Sequence, residues 1–150
     1  MTPLGLFRKK EKTTQEKTKE TLGPQPPEKT LLDELTGGDK ELHEALSRTL
    51  LLNPETTVKD GMDSYAKKAE EYEQAQKPRN ARIAYQVAGE IALYEGKLAQ
   101  VQKFFKKAAE VEPDSPYRNI FEYLSKKENA QRALTVAQEF YTKMGKKAQA

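Results

Sequence analysis

From Asp39 to Gly145 the inward-suited residues return every three or four positions, the spacing that places side chains on one face of an α-helix. Leu42, Ala45, Leu46, Thr49 and Leu50 follow Asp39, a carboxylate suited to an N-cap, until Asn53-Pro54 stops the run. A second helix is predicted from near Thr57, with Met62, Tyr65, Ala66, Ala69 and Tyr72 inward and Pro78 as its limit. Ala81, Ala84, Tyr85, Ala88, Ile91 and Ala92 mark a third, ended near Gly96, and Leu98, Val101, Phe105, Ala108 and Val111 a fourth, ended by Pro113. Ser115-Pro116 is expected to open a fifth helix, proline taking the first position, where its missing N–H costs nothing; Tyr117, Ile120, Phe121 and Leu124 face inward. A sixth is predicted from about Glu128 to Met144, burying Ala130, Ala133, Leu134, Ala137, Phe140 and Tyr141, with Gly145 closing it. No segment alternates with period two, so no sheet is expected. The pattern describes an all-α fold of about six helices, whose short linkers turn chain neighbours into antiparallel helical hairpins.

The chain before Asp39 reads differently. Residues 8–30 are rich in Lys, Glu and Thr and run into Gly23-Pro24-Gln25-Pro26-Pro27. So little apolar area cannot offset the entropy of ordering, so residues 1–30 are expected to form a disordered, basic N-terminal arm with a stiff proline-rich spacer, and 31–150 the helical domain. Leu31-Leu32-Asp33-Glu34-Leu35 is a short apolar island, expected to dock as a turn of helix on its own domain.

Composition narrows the function. Charged residues make up 33% of the chain against 36% hydrophobic ones, so the core must be economical and drawn from narrow helical stripes. With no cysteine, disulfides, thiolate nucleophiles and thiolate-bound zinc are excluded, and the lone His43 cannot supply a histidine pair for a metal. Flanked by Glu41 and Glu44, His43 reads as a boundary residue. The glycines from Gly89 to Gly96-Lys97 do not make a phosphate loop, because their spacing is too long and Leu98 stands where a magnesium-binding hydroxyl is needed. Glu70, Glu71 and Glu73 fall on solvated faces, and most tyrosines on core stripes. Neither catalytic residues, nor a metal, nor a cofactor is expected. The apolar residues at the amino end precede the basic cluster, the reverse of a secretory signal, and a cytoplasmic location is expected.

The net charge of +3 has an address. Arg8, Lys9, Lys10, Lys12, Lys17 and Lys19 stand against Glu11, Glu16 and Glu20, and removing these from totals of 26 and 23 leaves 20 of each sign in the remainder. The excess therefore belongs to the arm. Arg8, Lys9, Lys10 and Lys12 become candidate contacts to nucleic acid or to an anionic membrane, with Leu4, Leu6 and Phe7 adding apolar insertion. At the other end, Lys143, Lys146 and Lys147 suit the C-terminal turn of a helix, where cations oppose the macrodipole.

The third and fourth helices carry a motif. Residues 82–115 contain Tyr85-x2-Ala88-Gly89-x2-Ala92, then Gly96, then Val101-x3-Phe105-x2-Ala108, then Pro113. Over the same 34 residues this resembles the tetratricopeptide repeat, W-x2-L-G-x2-Y, then A-x3-F, then P. Tyrosine replaces tryptophan at 85, alanine replaces leucine at 88 and tyrosine at 92, and valine replaces alanine at 101. Ala130-x3-Leu134-x2-Ala137 and Met62-x3-Ala66-x2-Ala69 repeat the spacing of the second helix at irregular offsets. Within the motif, Gly89 is expected to allow close helix approach, Gly96 a left-handed turn, and Phe105 to fill the space left by Ala88, Ala92 and Ala108.

The resemblance implies a right-handed stack of TPR-like hairpins and a concave groove that takes an extended peptide or partner helix. What it implies for function is a non-enzymatic interaction module or scaffold. By helical phase the outward positions of the third helix are Ile83, Gln86, Glu90, Leu93 and Tyr94, and Gln86, Glu90, Leu93 and Tyr94 are the candidate partner-binding residues. Family members that bind a terminal carboxylate use lysine and asparagine on this face, which Gln86 and Glu90 do not supply. Ile83 is expected to pack on the second helix. The alternative is a component of a nucleic-acid or membrane assembly held by the basic arm.

Overall fold

The computed structural model describes residues 30–145, and within them the chain is helical with no strand. The helices are α1 (Leu31–Thr36), α2 (Lys40–Thr49), α3 (Pro54–Thr57), α4 (Met62–Gln74), α5 (Pro78–Glu95), α6 (Leu98–Val111), α7 (Arg118–Ser125) and α8 (Lys127–Lys143). None of them is long and apolar enough to cross a membrane. The arm, with Arg8, Lys9, Lys10 and Lys12, lies outside the described residues, as do Lys146 and Lys147.

Local chemistry explains where the helices begin. The apolar island is α1, closed by a capping box: Thr30 Oγ1 accepts from the Asp33 N–H at 3.1 Å and the Asp33 carboxylate accepts from the Thr30 N–H at 2.9 Å. Asp39 caps α2 by accepting from the Leu42 N–H at 3.1 Å. Helix α2 ends at Thr49, with Leu50 already extended, before Asn53-Pro54 is reached, and Pro54 instead takes the first position of the separate short α3. The helix predicted from near Thr57 starts only at Met62, because Gly61, with φ 89°, breaks the chain between α3 and α4. A second correction falls at Ser115-Pro116. Ser115 Oγ accepts from the Tyr117 N–H at 3.1 Å and its carbonyl from the Arg118 N–H, so these residues form a turn and α7 begins at Arg118.

The expected hairpin is present. Gly96, with φ 78°, ends α5 in the left-handed conformation, and the Lys97 N–H returns to the Ala92 carbonyl. Arg82 near the start of α5 reaches Glu112 just past α6, which fixes the two helices antiparallel. A Cβ on Gly89 would lie 2.7 Å from the Phe105 ring, so the absence of a side chain at 89 is what lets α6 close onto α5. Phe105 has no exposed surface and stacks on Phe121 of α7, ring centroids 5.9 Å apart.

Consecutive helices α4 to α7 pack side by side, and α8 then crosses back over α5, α6 and α7 to reach α1 and α2. Arg132 pairs with Asp39 at one end of α8 and the Tyr141 hydroxyl accepts from the Leu51 N–H, at 2.7 Å, near the other, so α2 and α8 run parallel. One core results, joining Leu42, Ala45 and Leu46 of α2 to Ala84, Tyr85, Ala88 and Ile91 of α5 and to Ala133, Ala137 and Tyr141 of α8.

Candidate functional site

Helix α5 is apolar around most of its circumference: between Ala81 and Tyr94 only Arg82, Gln86 and Glu90 carry strongly polar heads. Their spacing of four stacks them in one row along the helix. The Arg82 guanidinium donates through Nε to Glu112 at 2.9 Å and through Nη1 to Gln86 Oε1 at 3.1 Å, and Gln86 Nε2 donates to Glu90 Oε2 at 2.9 Å. Arg79 adds a looser contact to the same Glu112 carboxylate, at 3.8 Å. The row is thus an ordered chain of hydrogen bonds that deepens from the mouth of a cleft into the core.

The cleft lies between α2, α5 and α7 and encloses about 230 Å³, lined by Ser47, Arg48, Arg82, Gln86, Tyr117, Ile120 and Phe121. Two guanidiniums face one ring across it, Arg48 at 5.2 Å and Arg82 at 5.6 Å from the Tyr117 centroid. Arg82 is held rigidly by Glu112 and Gln86, whereas Arg48 is exposed and forms no ion pair with a described carboxylate. The surface combines an aromatic plate, an exposed cation, an anchored cation and an amide.

Glu90 is the buried end of this row and is 9% exposed. Burial pushes its carboxyl up to about 8, against the smaller opposing effect of the Gln86 N–H, so it holds its proton at neutral pH. Tyr85, on the neighbouring face, donates to Glu73 Oε1 at 2.5 Å, and burial together with that carboxylate holds its hydroxyl above the ordinary tyrosine range. Glu73, expected on a solvated face, therefore also ties α4 to α5.

The four positions proposed from helical phase separate here. Gln86 lines the cleft and Glu90 supports it from below. Leu93 and Tyr94 do not join them, which corrects the expectation of an outward face: Leu93 has no exposed surface, and α8 lies over both residues. Gln138 of α8 donates to the Leu93 carbonyl at 2.6 Å and to the Tyr94 carbonyl at 3.0 Å, and Tyr94 meets Tyr141 edge-to-face at 4.9 Å. Ile83 lines a small groove with Tyr65 and Tyr72 of α4 and remains 47% exposed. Arg48 and Tyr117, which complete the cleft, were not legible as site residues because they come from helices distant in sequence. The signal that could have marked the row was the four-residue spacing of Arg82, Gln86 and Glu90 on an otherwise apolar helix.

His43 Nε2 meets Asp33 Oδ1 at 2.8 Å and joins α2 to α1, a boundary role. Among the described residues no three histidine or carboxylate side chains come together in a way that could hold a metal ion. No family model, curated protein or solved structure matches the chain.

Proposed function

We propose that this chain is a non-enzymatic interaction module, a TPR-like helical scaffold that takes a partner peptide or helix on the face of α5. The observation that carries the reading is the cleft, where Arg48, Tyr117, Arg82 and Gln86 present an aromatic plate flanked by cations beside an amide. Peptide recognition uses such surfaces, aromatic rings and guanidiniums giving contact area and directed hydrogen bonds at low entropy cost. The binding surface is the N-terminal half of α5, because α8 fills the part of the groove over Leu93 and Tyr94.

The experiment is recovery of the full-length chain with its bound partners from native extract, followed by substitution in the cleft. Arg48→Ala is expected to release the same partner at least roughly tenfold faster without changing thermal stability, and Gln86→Ala to do so with some loss of stability, because it strands Arg82 and the buried Glu90. Retention of that partner by both variants would overturn the reading. The concentration of excess positive charge in the first twenty residues supports a second reading, an assembly component that grips nucleic acid or anionic lipid through Arg8, Lys9, Lys10 and Lys12. Binding that disappears on deletion of residues 1–29 and falls steeply with salt would favour it over the cleft.

A further inference from the structure

Three large hydrophobic side chains remain exposed among the described residues, Leu52 at 83%, Met144 at 50% and Ile83 at 47%, and the first two rim the same groove. This groove adjoins the cleft above, the two sharing Ser47 of α2, but it opens over α1 and the end of α8. It encloses about 410 Å³ between Leu31 and Leu32 of α1, Leu46 and Leu50 to Leu52 at the end of α2, and Phe140 and Met144 at the end of α8. Its lining is almost wholly apolar, and a contiguous apolar surface of this kind is ordinarily covered.

The chain itself supplies a cover. Thr30, at the point where the described residues begin, lines the groove, so all 29 preceding residues are tethered at its edge. Within them, large apolar side chains gather in the first seven positions, as Met1, Leu4, Leu6 and Phe7; from Arg8 to Lys29 there is only Leu22. Leu22 is a lone large apolar residue among polar and proline neighbours and offers less apolar area than the cluster at positions 1–7. The 22 residues from Arg8 to Lys29 span up to roughly 75 Å, enough for Phe7 to return to the groove, and tethering holds it there at an effective concentration above that of a free peptide. An apolar segment of a few residues needs no more than modest intrinsic affinity to occupy a groove at that concentration.

We infer that Met1–Phe7 docks intramolecularly in the apolar groove formed by α1, the end of α2 and the end of α8. The arm then closes a loop over this face, covers Leu52 and Met144, and keeps Leu4, Leu6 and Phe7 from other apolar surfaces.

The chain's lack of cysteine makes the test direct. A nitroxide attached through Thr2→Cys in the full-length protein, with isotope-labelled leucine and methionine methyl groups, is expected to abolish the Leu52 and Met144 methyl signals. Leu4→Asp, Leu6→Asp and Phe7→Asp introduced together should restore them with the helical circular dichroism unchanged. Persistence of both signals in the spin-labelled parent would overturn the inference, as would a loss that the triple substitution fails to reverse. In a mixture of spin-labelled chains without isotope and isotope-labelled chains without nitroxide, the signals should survive. Their loss there would overturn the inference in favour of a second copy as the occupant.

Discussion

At residue scale, the row on α5 and the glycine beside it are the positions where one atom decides the outcome. Gly89→Ala places a methyl 2.7 Å from a Phe105 ring that is fully buried and stacked on Phe121. Overpacking of this kind costs about 1–3 kcal/mol, partly offset by about 1 kcal/mol of helix propensity, so a net loss of stability is expected in urea unfolding. Gly89→Ala combined with Phe105→Leu should recover part of that loss. Glu90 gives a pH signature. Its carboxyl is raised from 4.5 to about 8 in the folded state, so the native protein holds a proton that the unfolded chain releases. Stability should therefore fall as pH rises from 4.5 towards about 8 and level off above it. Glu90→Gln is expected to remove that slope and raise the melting temperature at pH 8 and above; an unchanged slope in thermal scans would contradict the assignment. The close approach at Gly89 was legible in the repeat motif, whereas the burial of Glu90 was not: periodicity placed it outward because a helix has no marked outside until its neighbours are known.

At the scale of elements, capping and turn chemistry account for most boundaries. The α4 terminus is an exception to the usual residue choice. Gln76 stands in the left-handed region with φ 60°, while the Lys77 N–H returns to the Tyr72 carbonyl and the Gln76 N–H to the Glu73 carbonyl. That geometry favours glycine, and Gln76→Gly is expected to raise stability by about 1 kcal/mol, measured as an upward shift of the urea midpoint at constant slope. The hairpin α5–α6, the cap at Asp39 and the end of α8 near Gly145 were legible because each rests on interactions within a few residues. The start of α4 was not, since the pattern from Thr57 to Tyr72 hides the break at Gly61, and Ser115-Pro116 satisfies a tight turn as readily as a helix start.

The whole molecule is held by contacts that link its two ends. Tyr141 of α8 accepts the backbone N–H of Leu51, a buried bond across 90 residues of sequence. Tyr141→Phe would strand that donor and is expected to cost about 1–3 kcal/mol in equilibrium unfolding. Tyr123 is the internal control. Its buried hydroxyl has no hydrogen-bond partner among the described residues, so Tyr123→Phe should leave stability unchanged or raise it. Equal losses for the two variants would show that ring packing, rather than hydrogen bonding, dominates at both sites. By itself the sequence determined the helical class, the inward stripes, the α5–α6 hairpin and the location of the excess charge, since helical periodicity, capping and proline or glycine breaks act over a few residues. Tertiary structure decided that α8 lies parallel to α2 and covers Leu93 and Tyr94, that Glu90 is buried, and that Arg48 and Tyr117 meet the row on α5. Those contacts join helices with no short linker between them, and the face on which α8 settles is chosen by the fit of apolar surfaces far apart in the chain.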